Sequence, residues 1–198
     1  MANANQKVAA NVQNVMDGRV LLSGLDDDTI KACFFDPQYP TPNANEESGL
    51  PPMGKKVIAT FMKDIDRVLV PSGYLFLWME KEQVLGGIGQ WLNGTLLHAV
   101  DLITWNSGEE DKQSEYLVVC QKIPVQKGAT LDIADVWEEK ITKRVHPFQK
   151  PSGLLKALVL ATTKDDDYIL DPCAGSYAVL DVCKATKRDF IGCDLASF

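Results

Sequence analysis

The chain has 198 residues, 45% of them hydrophobic and 24% charged, which is the balance of an ordinary globular protein long enough to bury a core unaided. No run approaches the ~18 apolar residues needed to cross a bilayer, residues 1–14 hold no apolar signal core, and five scattered cysteines with two histidines form no CxxC pair or metal-ligand cluster. A membrane span, a disulfide framework and a metal site are therefore not expected, the address expected is cytoplasmic, and the formal charge of −7 opposes a simple nucleic-acid binder because phosphate contacts need basic surface.

Residues 1–11, rich in Asn, Ala and Gln, read as peripheral. Val12 to Leu25 reads as strand and turn, leading into Ala32-Cys33-Phe34-Phe35, a short apolar run expected to be a buried parallel strand ending at Asp36. Pro40 to Gly54, with Pro40, Pro42, Pro51 and Pro52, is expected to be a long irregular loop, and loops of that length in a compact domain are usually functional. Lys55 to Val70 places Val57, Ile58, Phe61, Met62, Ile65 and Leu69 near the 3.6-residue period of an amphipathic helix, with Pro71-Ser72-Gly73 as its stop. Tyr74 to Met79 reads as a strand and residues 81–93 as a helix. Leu97 to Trp105 and Glu115 to Gln121 read as a strand pair connected through Ser107 to Gln113. A helix over Leu154 to Thr162, a strand over Tyr168 to Leu170, a helix over Ala178 to Ala185 and a strand over Phe190 to Cys193 complete the series. Helices alternating with buried strands predict a doubly wound, mostly parallel α/β sheet with an antiparallel edge strand, in one domain spanning 1–198.

Three constellations carry chemistry. Asp36-Pro37-Gln38-Tyr39 lies at the carboxyl end of a strand, where ligands bind in open α/β sheets. A carboxylate and a backbone carbonyl there can accept both protons of an aromatic amine, exposing its lone pair, while a tyrosine can stack on a planar ring. The same four residues also suit an ordinary turn. Asp171-Pro172-Cys173-Ala174-Gly175-Ser176 follows a strand and precedes a helix, so small residues let the main chain approach a nucleotide-like cofactor. Phe190-Ile191-Gly192-Cys193-Asp194 then supplies a second strand ending in an acid suited to ribose hydroxyls. His146-Pro147-Phe148-Gln149-Lys150-Pro151 offers an ammonium beside a helix start, or simply a helix entry marked by proline.

In this order the pieces resemble the amino-methyltransferases of DNA whose target-amine motif precedes the cofactor motif. Asp36 to Tyr39 is similar to their Asp-Pro-Pro-Tyr box in the form found in a phage and prophage subgroup, His146 to Pro151 to HPxxKP, Asp171 to Ser176 to DPxxGS, and Phe190 to Asp194 to FIGxD. Likeness also runs through Pro71 to Met79, Val100 to Trp105 and Ser114 to Leu117, so it covers roughly residues 12–195. The resemblance implies a Rossmann-like methyltransferase fold with permuted motif order, S-adenosylmethionine as donor, and adenine in DNA, flipped from the duplex, as acceptor. It places Asp36, Pro37, Gln38 and Tyr39 at the base. His146, Lys150, Asp171, Pro172, Ala174, Gly175, Ser176 and Asp194 fall to the cofactor, with Asp194 on the ribose and His146 and Lys150 near the donor carboxylate. No separate target-recognition domain is evident, and a homodimer or second subunit is a candidate partner. Three departures stand out: Gln38 for proline, Tyr177 where many relatives have glycine, and acidic Gly108 to Gln113 where relatives carry an arginine-rich loop. The last favours an alternative, a weak or inactive cofactor-binding subunit or decoy that partners another protein; an enzyme acting on RNA, protein or a small molecule is a further rival.

Overall fold

The computed structural model describes residues 8–39, 52–109, 114–128, 130–146 and 148–195. In chain order these form β1 (Asn14–Val15), α1 (Gly18–Ser23), β2 (Ile30–Phe35), α2 (Lys55–Val68), β3 (Leu69–Met79), α3 (Lys81–Leu85), α4 (Gly89–Leu92), β4 (Leu97–Asn106), β5 (Glu115–Lys122), β6 (Val136–Glu138), α5 (Ser152–Thr162), β7 (Tyr168–Asp171), α6 (Ala178–Thr186) and β8 (Asp189–Asp194). None of the described helices is long and apolar enough to cross a membrane.

The strands are continuous apolar runs because both faces of the sheet are covered. Cys33 and Phe35 of β2, with Leu75, Leu77 and Met79 of β3, pack on the Ile58, Phe61, Met62 and Ile65 stripe of α2 and on Leu21 and Leu22 of α1. Their alternates Ala32, Phe34, Tyr74, Phe76 and Trp78 belong to the opposite core with Leu154, Leu155, Leu158 and Val159 of α5 and Val179, Leu180 and Cys183 of α6. The period of two in the strands thus feeds two cores, each large buried side chain contributing about 1.5–3 kcal/mol before conformational entropy is counted.

The sheet runs β1-β8-β7-β2-β3-β5-β4-β6. β2 pairs in parallel with β3 on one side and with β7 on the other, and β7 pairs in parallel with β8. From β2 the chain winds through α2 to β3, whereas from β7 it winds through α6 to β8 in the opposite direction. The carboxyl ends of β2 and β7 are therefore the topological switch point, the crevice where open α/β sheets bind ligands.

Several expectations are corrected. The antiparallel strand β5 pairs with β3 and β4 and lies inside the sheet; β4 and a three-residue β6, parallel to β4 at Thr104–Asn106, lie beyond it. Within Val12 to Leu25 there is a helix, α1, in addition to a two-residue strand; Asp17 caps it by accepting the Arg19 N–H at 2.8 Å. α2 ends at Val68, and Pro71-Ser72-Gly73 lies within β3 as an irregularity, with Ser72 at φ 60° and the register jumping from Ile30↔Leu69 to Ala32↔Tyr74. Residues 81–93 form two short helices because Gly87, at φ 90°, breaks the run. The 40–54 loop lies mostly, and residues 110–113 of the β4–β5 connection lie wholly, outside the described residues.

α1 is held against the turn after β7 at a position where only glycine fits. A Cβ on Gly18 would stand 2.3 Å from the Pro172 carbonyl oxygen and 2.8 Å from Phe61 Cε1. Gly18→Ala should cost about 1–3 kcal/mol, the scale of overpacking. The expected observation is a lower urea midpoint with an unchanged slope.

Candidate active site at the carboxyl ends of β2, β7 and β8

A cavity of about 530 Å³ opens at the switch point and is lined by residues from Asp36 to Tyr39, by Trp78, Glu80, Glu115, His146 and Lys150, by Asp171 to Ser176, and by Asp194. Its size is that of a site for a small cofactor together with part of a substrate. All twelve residues singled out from the sequence line this one cavity.

On one side, β7 ends at Asp171 and the chain turns through Gly175, at φ 48°, into α6. The turn is tied to β8: the Ala174 N–H donates to the Cys193 carbonyl at 2.9 Å and the Gly175 N–H to Asp194 Oδ2 at 2.9 Å. The left-handed backbone of Gly175 is open to glycine without strain, and the His146 ring lies over it, 3.7 Å from where a Cβ would sit. His146 Nδ1 accepts the Phe148 N–H at 3.2 Å. Burial lowers the His146 pKa, against the pull of Asp194 and Asp36, so the ring is neutral at neutral pH.

Tyr177, the residue at which many relatives of the resemblance have glycine, is also left-handed, at φ 57°. Its strain is offset by burial to 1% exposure, by a hydroxyl that donates to the Asn14 carbonyl at 2.7 Å, and by edge contact with Phe190. The tyrosine thus ties α6 to β1 and leaves the cavity side of the turn to Gly175 and Ser176.

Asp171 forms the floor. It is 6% exposed, and its Oδ1 accepts the Cys173 N–H at 3.3 Å. Burial raises its pKa well above the usual carboxylate range; the Cys173 N–H opposes the shift, and the charges of Asp36 and Asp194 add to it.

On the other side, Asp36 follows β2 and pairs through Oδ2 with Lys150 Nζ at 2.8 Å. Lys150 also meets Glu115 Oε2 at 2.7 Å and lies 5.0 Å above the Trp78 ring. The expectation had put this ammonium near a donor carboxylate; in the structure its partners are two carboxylates of the protein, and a donor carboxylate would have to share it with them. Burial raises the Asp36 pKa, Lys150 pulls it down and Glu115 pushes it up. The Gln38 carbonyl accepts the Met53 N–H at 2.8 Å, holding the far end of the box. Tyr39 is 4% exposed; its hydroxyl donates to the Trp78 carbonyl at 3.1 Å and its ring meets Trp91 edge-on at 5.4 Å. A base stacking on Tyr39 would have to displace part of that packing.

Sequence reasoning missed Asp17 and Arg19 of the α1 start, Glu80, and Glu115 as a lining residue. Glu80 follows β3 at the same carboxyl edge as Asp36, so the switch-point rule could have found it. Glu115 opens β5, which runs the other way, and the pattern of residues held no signal that its side chain reaches Lys150.

The sheet is doubly wound, and at its switch point a small-residue turn and a strand-end acid face a second acid across one crevice. Residues 98–198 match the N6_N4_Mtase family, described as DNA methylase. Type II methyltransferase M.HhaII of Haemophilus parahaemolyticus is 40% identical over 207 residues, covering 93% of this chain and 91% of that protein. The chain belongs to this DNA methylase family and at that level is a DNA methyltransferase. Among solved structures, the PvuII DNA methyltransferase (cytosine-N4-specific) superposes with a TM-score of 0.74 over 96% of this chain and 83% of that one at 12% identity. The M1.HpyAVI–SAM complex does so with a TM-score of 0.67 over 93% of each chain at 19% identity. At these identities the likeness is one of fold.

Proposed function

We propose that this chain transfers a methyl group from S-adenosylmethionine to the exocyclic N6 amine of adenine in DNA, acting directly on a base flipped out of the duplex. The observation that carries the reading is that Asp36-Pro37-Gln38-Tyr39 and the Asp171–Ser176 turn with Asp194 open on one cavity. The residues present suit the donor. Gly175 and Ser176 bring backbone to the surface of the cavity, Asp194 stands at a strand end where ribose hydroxyls bind, and Asp171 and Asp194 complement a cationic ligand. When bound, the donor supplies a methyl group on a positively charged sulfur.

The chain's own residues act on the acceptor. An adenine amine is a poor nucleophile because its lone pair is delocalised into the ring. Asp36 accepts one N–H and the Pro37 carbonyl the other, drawing the nitrogen towards tetrahedral geometry and turning its lone pair to the methyl carbon. Trp78 and Phe34 wall the cavity and limit competition from water. Adenine rather than cytosine is supported by the likeness of Asp36 to Tyr39 to the box of the adenine group. Incubating the protein with labelled donor and separately with DNA, RNA and protein, then digesting the product to nucleosides, tests the reading. Label recovered as N6-methyladenine is the expected result; N4-methylcytosine would change the acceptor, and label only in RNA or protein would overturn the proposal.

The charge of −7 sets a further expectation. Among the described basic side chains, Arg19 lines the cavity but is paired with Asp17, Lys55 Nζ lies 3.4 Å from Gln90 Oε1 and Arg144 pairs with Glu109 at 2.9 Å, while Lys112 falls outside the described residues. DNA affinity of the purified chain should therefore fall far less than the ~10³–10⁵-fold between 50 and 200 mM salt that accompanies 6–10 phosphate contacts. Binding isotherms across that range check it, and a steep slope would reveal a larger basic surface.

A further inference from the structure

We propose that Lys150 and Glu115 are positioning residues for Asp36, a buried ammonium and its second carboxylate that set the orientation and charge of the group receiving the acceptor amine. The inference rests on the reading above and assigns Lys150 to the acceptor side of the cavity rather than to the donor.

Geometry carries it. Three separate elements converge on one point: Asp36 from the end of β2, Glu115 from the start of β5, and Lys150 from the segment that Pro151 joins to α5. The Lys150 side chain is only 11% exposed, with Asp36 Oδ2 at 2.8 Å, Glu115 Oε2 at 2.7 Å and the Trp78 face beneath it. A buried ammonium is tolerated when its charge is matched and its donors are used, and two carboxylates with an aromatic face do this. One consequence is that Oδ2, and with it the plane of the Asp36 carboxylate, is pinned, so the amine meets a carboxylate already oriented. The other is electrostatic. Burial by itself would lower the Lys150 pKa, but Asp36 and Glu115 outweigh it and the ammonium stays protonated.

The surroundings of Asp36 otherwise work against its ionisation. Glu115 from β5, Glu80 from the end of β3 and Asp171 from β7 are acidic; His146, on the loop before α5, favours ionisation but more weakly than Lys150, and Tyr39 and Cys173 add no positive charge. Lys150 is thus the cation that keeps Asp36 an acceptor, and Glu115 holds Lys150 while tempering its effect.

The two partners therefore have opposite signatures. In Lys150→Met the acid limb of the pH–kcat profile should move to higher pH, because Asp36 loses its cation. In Glu115→Gln it should move to lower pH, because Asp36 loses a like charge. Lys150→Met should also lower kcat by on the order of 10²-fold, the cost of a misplaced catalytic group. Donor Kd by calorimetry should hardly change, and Lys150→Arg should restore the wild-type limb. A direct readout independent of turnover is the titration of the Asp36 carboxyl carbon, followed by NMR in protein labelled at aspartate. Carboxyl titrations moving in opposite directions in the two variants support the inference, even if the intact protein transfers no methyl group, in which case the functional reading fails alone. Titrations that stay put or move together overturn it, as does a Lys150→Met variant whose main defect is lost donor affinity.

Discussion

Asp36→Ala should abolish most methyl transfer, with kcat falling on the order of 10²–10³-fold or more, while donor affinity stays close to that of the unaltered chain. The size follows from the role: removing one preorganised group that acts on developing charge typically costs that much. The selectivity follows from position, since Asp36 stands at the end of β2 whereas Gly175 and Asp194 sit on the β7–α6 turn and at the end of β8, tied to each other at 2.9 Å. Asp36→Asn is a sharper probe. Asparagine keeps an acceptor oxygen but exchanges the other for an N–H₂ that cannot face the Lys150 ammonium favourably, so the loss should remain large although shape is kept. Single-turnover rates with saturating DNA, calorimetry with the donor, and an unfolding midpoint taken in parallel separate chemistry from binding and from folding. Normal turnover by Asp36→Ala would show that the acceptor amine is served by another group.

Tyr39 invites a milder comparison of the same kind. Its hydroxyl already donates to the Trp78 carbonyl and its ring leans on Trp91. Whatever it contributes to a flipped base is inseparable from keeping Trp78, and therefore the Lys150–Asp36 pair above that ring, in place.

The parts of this fold that could be read from the residues are those in which local pattern and global burial agree. Phe34-Phe35 and Tyr74 to Met79 read as strands because covered sheets need continuous apolar runs, and Ile58, Phe61, Met62 and Ile65 mark α2 by spacing alone. The turn after β7 was legible for the same reason, being a strand, small residues, a helix and a strand-end acid in sequence. Elements too short to have a period were not: α1 offers one apolar cluster, Val20 to Leu22, and β6 three residues. At Pro71-Ser72-Gly73 a breaker motif was absorbed into a strand as an irregularity, because β2 and β3 hold the chain on both sides of it. Long-range pairing was the least legible. That Lys150 would meet Glu115 and Asp36 depends on β5 lying next to β3, and no local signal encodes it. Tyr177 was visible only as a departure; the Asn14 carbonyl that explains it comes from the far end of the chain.

Donor binding should be coupled to proton release, with affinity rising from pH 5 to 8 by up to about tenfold per pH unit for each proton given up. The cause is the carboxylate floor. Asp171 is buried, so its pKa stands well above the ordinary range, and Asp36 is raised by burial as well. In the free protein Asp171 therefore holds its proton into a range where the unfolded chain would have lost it, whereas the Lys150 ammonium keeps Asp36 ionised. The sign for stability follows: a raised folded-state pKa contributes stability that is fully present below the unfolded value and lost as pH rises through the folded one, so the thermal midpoint should decline as pH increases. A ligand with a positively charged sulfur and an ammonium favours the ionised carboxylate, and binding expels the proton. The demethylated product, lacking the sulfur charge, should show a weaker coupling. Asp171→Asn should keep the acceptor for the Cys173 N–H, raise the midpoint at neutral pH, flatten its pH dependence and remove most of the proton release. Calorimetry in two buffers of different ionisation enthalpy measures the protons directly. An affinity flat across pH 5–8, or proton release unchanged in Asp171→Asn, would show that Asp171 is already ionised in the free protein and that its charge is balanced by another group.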